Sequence, residues 1–316
     1  MQQAADGQRS DESKPANPPA GTAPARSCAW CGTPFDERSQ ARPGRRRCAV
    51  CGVWTTDPWP TEEELERAYG PWYRPEAGRF SGLGDIVLRR LRGRLARRID
   101  RVAPPGPVLD VGAGDGALVD ALRAAGRESV GLERRAARRD FIEGDLAEVS
   151  GEWATVVFWH SLEHLQAPRE ALGQAARLLQ PGGLLVVAIP NSASWQARAF
   201  GDRWFALDIP RHLVHVPARA LLDGIRAAGL SVERVSYVRA GQAVFGWLHG
   251  LVDLLPGHPS LYDAIRRPEA RSGPMSAPQR AFALIAASLL SPVAAACAAA
   301  EAAARRGGGV YVEARR

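Results

Sequence analysis

The stretch Pro107 to Ala117, PVLDVGAGDGA, limits what this chain can fold into more than any other. A short apolar run, Val108, Leu109 and Val111, carries Asp110 and then breaks into glycines at alternate positions, Gly112, Gly114 and Gly116. Ala117, Leu118, Val119, Ala121 and Leu122 then resume at helical spacing. A buried parallel strand that ends in a glycine turn and restarts as a helix presents backbone N–H groups to a ligand. With Ala117 the stretch also fits the dinucleotide pattern G-x-G-x-x-G/A, so by itself it leaves the ligand open.

With 316 residues, 46% of them hydrophobic, the chain can bury one large core and a small accessory module. Its net charge of +7 comes almost wholly from arginine, Lys14 being the only lysine. Nucleic acid, anionic lipid and phosphorylated substrates all suit such a surface, and charge does not separate them. The N-terminal residues lack the apolar centre of a signal peptide, so a cytoplasmic protein is expected. Residues 1–26 have no apolar period and read as a disordered tail.

Cys28-Ala-Trp-Cys31-Gly and Cys48-Ala-Val-Cys51-Gly follow, with sixteen residues between the two pairs. Two Cys-x2-Cys knuckles at that separation bring four thiolates around one zinc ion, and the glycines allow the tight turns. In a cytoplasmic chain such cysteines are metal ligands or free thiols rather than disulfides. The expected ion is a structural Zn2+ with no open coordination position, in a ribbon over residues 27–58. Cys297 reads as core.

Residues 59–103 are expected to form a helical lid or linker. Thr61 with Glu64 is a capping box that starts a short helix through Tyr69, which Gly70-Pro71 stops. Tyr73 then stands on the loop into the main domain, as a candidate lid over the site or as plain packing. From Leu83 to Val102 the residues Leu88, Leu91, Leu95, Ile99 and Val102 recur at helical spacing, with arginines on the other faces.

Past the glycine turn, Ser129 to Glu133 reads as a second strand ending in an acid, a position from which a carboxylate can accept both hydroxyls of a ribose. The segment Arg134 to Asp140 is short for a crossover helix, so the third strand, Phe141-Ile142, and Gly144-Asp145-Leu146 arrive early. Ala154 to Trp159 is a fourth strand, followed by His160-Ser-Leu-Glu163-His164-Leu. A helix to Leu179 ends at Gln180-Pro181-Gly182-Gly183, and Leu184 to Ile189 is a fifth strand. Strands alternating with helices make a parallel sheet with its ligands at the carboxyl edge. Asp110, Glu133, Asp145 and His160 all fall on that edge.

Taken together, DVGAGDG, GLE, GDL, HSLEHL and LLQPGG resemble the ordered motif set of the class I S-adenosylmethionine-dependent methyltransferases. The resemblance spans about residues 105 to 240, within a core expected over 104–240. It implies an α/β fold with a doubly wound, mostly parallel seven-stranded sheet and S-adenosyl-L-methionine as cofactor. By the same resemblance Gly112 and Gly114 approach the methionine moiety, Glu133 holds the ribose, Asp145 with Leu146 borders the adenine, and His160 lines the cofactor pocket. Asp110 closes the first strand beside them.

The wording WFALDIPRHLVHV, within Ser194 to Val216, is similar to the substrate-side insertion of methylases acting on sugars, lipids and other small metabolites. His212 is the expected general base, since an imidazole near its free pKa takes a proton at neutral pH. A histidine that merely bonds the insertion to the sheet is the plain alternative, and Glu163-His164 has the same two readings.

Beyond a sixth strand, Leu230 to Val238, the chain is apolar over Ala243 to Leu255 and carries no charge over Ala281 to Ala300. Alanine dominates the second stretch and Pro292 interrupts it, so a helical hairpin over residues 241–307, packing on itself or a partner, is favoured over a span. A final strand is expected over residues 308–316.

The expected acceptor is a small molecule, a sugar, glycolipid or secondary metabolite, with a lipid-linked substrate and peripheral contact at the inner face of the membrane as further expectations. An RNA methyltransferase ranks second, on the ribbon and the arginine-rich helix. A non-catalytic scaffold ranks third, because the glycine turn and its acid are intact.

Overall fold

The computed structural model describes residues 24–70, 80, 84–136, 138–237 and 240–316, which form two sheets and the helices around them. Most of the expected tail, residues 1–23, lies outside the described residues, as does Tyr73.

The smaller sheet begins with β1 (Gln40–Arg42), β2 (Arg45–Arg47) and β3 (Trp54–Thr56), paired antiparallel. The two knuckles close alike: Gly32 N–H donates to Cys28 O at 2.8 Å and Gly52 N–H to Cys48 O at 3.0 Å. Both glycines are left-handed, φ +72° and +73°, a conformation that a side chain would strain. The fourth strand of this sheet, β9 (Val214–His215), comes from the main domain, with Trp54 opposite His215. Trp30 packs so closely on the main domain that a Cβ at Gly224 would lie 2.6 Å from its ring. The ribbon therefore shares one core with the rest of the chain.

A short helix, α1 (Glu62–Ala68), starts at the expected Thr61–Glu64 capping box. The next, α2 (Gly84–Val102), buries Leu95, Ala96 and Ile99 against the main sheet and the helix α3 (Ala117–Ala124). Leu88 and Leu91, expected on the buried stripe, are instead 41% and 43% exposed, because only the C-terminal part of α2 packs there. Two arginines of its polar face have partners among the described residues: Arg98 forks onto the Glu313 carboxylate at 2.8 and 2.7 Å, and Arg92 stacks over the Trp159 ring at 5.2 Å.

The main sheet contains β4 (Val108–Val111), β5 (Ser129–Glu133), β6 (Ile142–Glu143), β7 (Trp153–Trp159), β8 (Leu179–Pro190), β10 (Ser231–Ser236) and β11 (Gly309–Arg315). Their order is β6-β5-β4-β7-β8-β11-β10, parallel from β6 to β8, with β11 antiparallel to both its neighbours. The chain winds outward from β4 to β6 and then crosses back to lay β7 on the other side of β4. Ligands of such sheets bind at this switch point, outside the carboxyl ends of the strands. No helix joins β5 to β6 among the described residues, in line with the short segment in the sequence. Gln180 to Gly183, expected as a turn, instead opens β8, where the register with β7 shifts.

The helices α4 (Pro168–Leu178) and α6 (Ala218–Ala227) contribute to the core that also takes in the ribbon. After β8 comes α5 (Trp195–Phe200). The expected hairpin consists of α7 (Ala240–Asp253), a short α8 (Leu261–Ile265) and α9 (Ala277–Ala303). One charge, Glu301, fixes its end: the buried carboxylate accepts from Gln196 N–H at 3.0 Å, Gln196 Nε2 at 2.9 Å and Trp247 Nε1 at 3.0 Å.

Candidate active site

The four residues of β4 are buried, and the chain then leaves the sheet through Gly112, Gly114 and Gly116 at φ +74°, +65° and +79°. Space as well as φ excludes a side chain at Gly112, where a Cβ would stand 2.5 Å from Ser161 Cβ. The turn is anchored by Gly112 N–H donating to Leu132 O at 2.8 Å. Gly114 N–H donates to the Glu133 carboxylate at the end of the neighbouring strand β5. Gly112, Gly114 and Glu133, picked out separately from the sequence, thus form one cradle, with Asp110 buried behind it. Leu146 is buried after β6, and the exposed Asp145 opens a turn of 3-10 helix, its N–H donating to the Glu148 carboxylate at 3.0 Å.

A second cluster lies past the end of β7. His160, held at φ +54°, places Nδ1 3.3 Å from Glu163 Oε1. Glu163 is almost fully buried, and its Oε2 has no hydrogen-bond partner among the described residues. Burial by itself would raise this carboxyl, yet the hydrogen bond from His160 and the charges that His160, His164 and His212 carry in the acid range where it titrates bring it down to about 2. Glu163 is therefore an anion in the interior.

His212 enters from the insertion after β8. Its Nδ1 lies 2.9 Å from the Ala206 carbonyl, which can only accept, so Nδ1 carries the hydrogen. In the neutral ring Nε2 is then a bare acceptor, 3.9 Å from Glu163 Oε1 and 3.8 Å from Asp208 Oδ2. Burial also acts against the Asp208 charge, but His212 and the two-pronged contact from Arg211 lower its carboxyl. The imidazole nitrogen that can take a proton thus faces two carboxylates.

The ribbon holds this histidine in place. Thr56 Oγ1 donates to His212 O at 2.7 Å, and Thr56 N–H to Leu213 O at 3.0 Å. Leu213 N–H in turn donates to Glu163 O at 2.9 Å.

Tyr73 lies outside the described residues, and it is Tyr69 that reaches the cluster, its hydroxyl 2.8 Å from His164 Nδ1. That nitrogen also meets Arg211 O at 2.9 Å. Burial and then the neighbouring His212 lower the His164 imidazole to about 4, which leaves it neutral at pH 7. Burial likewise pushes His215 well below its ordinary value. Thr56 was not legible as a member of the cluster, and Tyr69, Asp208 and Arg211 were legible only as parts of the segments that flank it. Their only sequence signal was proximity to His212 or to a helix end.

A cavity of about 640 Å³ opens beside this cluster, between the ribbon and α5. Arg42, Arg45 and Arg47 from the ribbon line it together with Arg198, Arg306 and His215. Asp202 is the one acid among the described residues lining it, and it pairs with Arg45 at 2.6 Å. None of the cofactor candidates borders this space.

The sulfur atoms of Cys28, Cys31, Cys48 and Cys51 all lie within 4.8 Å of one another, and the pairs Cys28–Cys51 and Cys31–Cys48 are both 3.6 Å apart. Four thiolates at about 2.3 Å from a tetrahedral zinc would stand about 3.8 Å apart. The donor set fits that ion.

Residues 87–235 match the family described as a methyltransferase domain. A probable S-adenosylmethionine-dependent methyltransferase of Mycolicibacterium smegmatis is 28% identical over 162 residues, 47% of this chain and 58% of that relative. A ubiquinone biosynthesis O-methyltransferase of Xanthomonas axonopodis pv. citri is 27% identical over 161 residues, 43% of this chain and 67% of that protein. The chain thus spans roughly three fifths to two thirds of the length of these relatives. A solved S-adenosylmethionine-dependent methyltransferase from Archaeoglobus fulgidus aligns with 72% of this chain and 94% of its own, at a TM-score of 0.44 and 17% identity.

Proposed function

We propose that this chain, whose residues 87–235 are a class I S-adenosylmethionine-dependent methyltransferase domain, methylates a hydroxyl group of a small molecule that carries an acidic group. One observation carries the reading: His212 Nε2, its partner nitrogen tied to the Ala206 carbonyl, faces Glu163 and Asp208 beyond the carboxyl ends of the sheet. S-adenosylmethionine, when bound, supplies a methyl group that its sulfonium makes electrophilic. His212 takes the acceptor's hydroxyl proton as the new O–CH3 bond forms and the S–CH3 bond breaks. The anionic Glu163 and Asp208 stabilise the imidazolium that results.

On the cofactor side, Gly112 and Gly114 would admit the methionine portion, and the Glu133 carboxylate would hold the ribose hydroxyls. Asp145, Leu146 and His160 complete that pocket. Cys28, Cys31, Cys48 and Cys51 hold a structural zinc. Oxygen is favoured as the methylated atom by a base of this kind and by the O-methyltransferases among the relatives. The arginine-lined cavity beside His215 favours an acceptor with a phosphate or carboxylate, which a sugar phosphate or a lipid-linked sugar would supply.

Titration calorimetry of the zinc-loaded protein with S-adenosylmethionine tests the cofactor half, and absence of binding would sink the reading. Glu133→Ala should weaken that binding by roughly 10- to 100-fold, the loss of about 1.5–3 kcal/mol of charged hydrogen bonding. For the acceptor half, label transfer from methyl-tritiated cofactor to paired phosphorylated and unphosphorylated hydroxyl compounds should favour the phosphorylated member, and added salt should erode the preference. Equal transfer to both members would remove the arginine cavity from acceptor binding.

A further inference from the structure

We propose that the outward face of α9 is a docking surface for an anionic phospholipid bilayer, on which the protein lies without spanning it. This surface is independent of the methyl-transfer reading. The helix is sorted in the reverse of the usual sense for a surface helix. Its small residues Ala283, Ala286, Ala287, Ala294 and Ala298 are buried toward the protein. Phe282, Ile285, Leu289 and Val293 point outward at spacings of three, four and four, with Ile285 60% and Leu289 75% exposed. No charge interrupts residues 281–300. A continuous apolar face of this length marks a partner, because water gives it no compensation.

Charge selects the bilayer over a second copy. The exposed Arg305 follows α9 directly. At the other end α8 packs on α9, and Phe80 bridges to Arg266 just past α8 while packing against Gly84 at the start of α2. The first turns of α2 expose Ile86 and Val87 with Arg89 and Arg90, repeating the pattern of apolar residues beside cations. A second copy meeting this one through α9 offers the flanking arginines no acid, since residues 281–300 carry none. Anionic headgroups supply the counter-charges, and the acyl boundary takes the aliphatic side chains.

The inner face explains why the helix lies on the surface. Glu301 accepts three hydrogen bonds inside the protein, and threading α9 across a bilayer would strip a carboxylate of all of them.

The test is flotation of the full, zinc-loaded chain with vesicles of phosphatidylcholine alone and of phosphatidylcholine mixed with phosphatidylglycerol. The protein should float with the mixed vesicles and less with phosphatidylcholine, and salt should weaken the association. The double variant Ile285→Ser, Leu289→Ser should partition about tenfold less or weaker still, since two large aliphatic side chains no longer enter the lipid. Both positions are exposed, so its melting temperature should match the parent. Three results would overturn the proposal. One is a parent that binds neither vesicle. Another is a variant that binds as well as the parent. The last is a dimer in sedimentation velocity that the double variant dissolves, which would make the face a contact between copies.

Discussion

If the four cysteines hold zinc as proposed, stripping it from the purified chain should unfold the ribbon and sharply lower methyl transfer. The ribbon's strands are three residues long, and its buried apolar residues number few beyond Trp30 and Val53. Zinc binding in finger peptides is worth about 10–16 kcal/mol, far more than such a core supplies. The loss will not stay local. Trp30 is seated against Gly224, and the ribbon's core runs into that of the main domain. Through Thr56 the ribbon also holds the backbone at His212 and Leu213. Chelation should therefore release about one zinc per chain by mass spectrometry of the metal, lower the melting temperature, and reduce turnover more than cofactor affinity. Cys48→Ser should reproduce the effect without chelator. A chain that carries no stoichiometric zinc, and melts unchanged after that substitution, would leave the cysteines as buried thiols.

Replacing His212 with Ala should lower kcat by about 10²- to 10⁴-fold, the range associated with losing a positioned proton acceptor. Its contacts are with Ala206, Glu163 and Asp208, none of them in the glycine cradle, so S-adenosylmethionine affinity should hold. Glu163→Gln should cost roughly 10- to 100-fold, since the amide keeps the shape but not the charge that stabilises the imidazolium, worth about 1.5–3 kcal/mol as a charged hydrogen bond. A packing role and a catalytic one separate in stability and binding. Loss of the proton acceptor lowers kcat with melting temperature and S-adenosylmethionine affinity kept, whereas a packing defect lowers the melting temperature as well. Retention of full turnover by His212→Ala would return this histidine to the structural reading.

The proposed cofactor half was the more legible one because its signals are local. Gly112, Gly114, Glu133 and Asp145 each sit at the end of a strand that its own apolar pattern announces, and parallel strands bring those ends together. The acceptor half depends on loops. Glu163 and His212 are 49 positions apart, and no period in the sequence states that one insertion folds back over the other. Tyr69 stands where the sequence suggested a role for the later Tyr73, since α1 ends beside His164.

The sequence by itself determined the alternation of strands and helices in the main sheet and a four-cysteine cluster at the N-terminal side. These follow from residue spacing and backbone preference, which act over a few positions. Tertiary structure decided three things that spacing cannot carry. It added Val214–His215 to the ribbon's sheet, which makes the ribbon a support for His212. It left Leu88 and Leu91 of α2 in solvent by packing only the later turns of that helix. In α9 it turned the alanines inward and the large aliphatic residues outward. A helix that is apolar on every side has no amphipathic signal to say which face is covered, so only the packed neighbours could settle it.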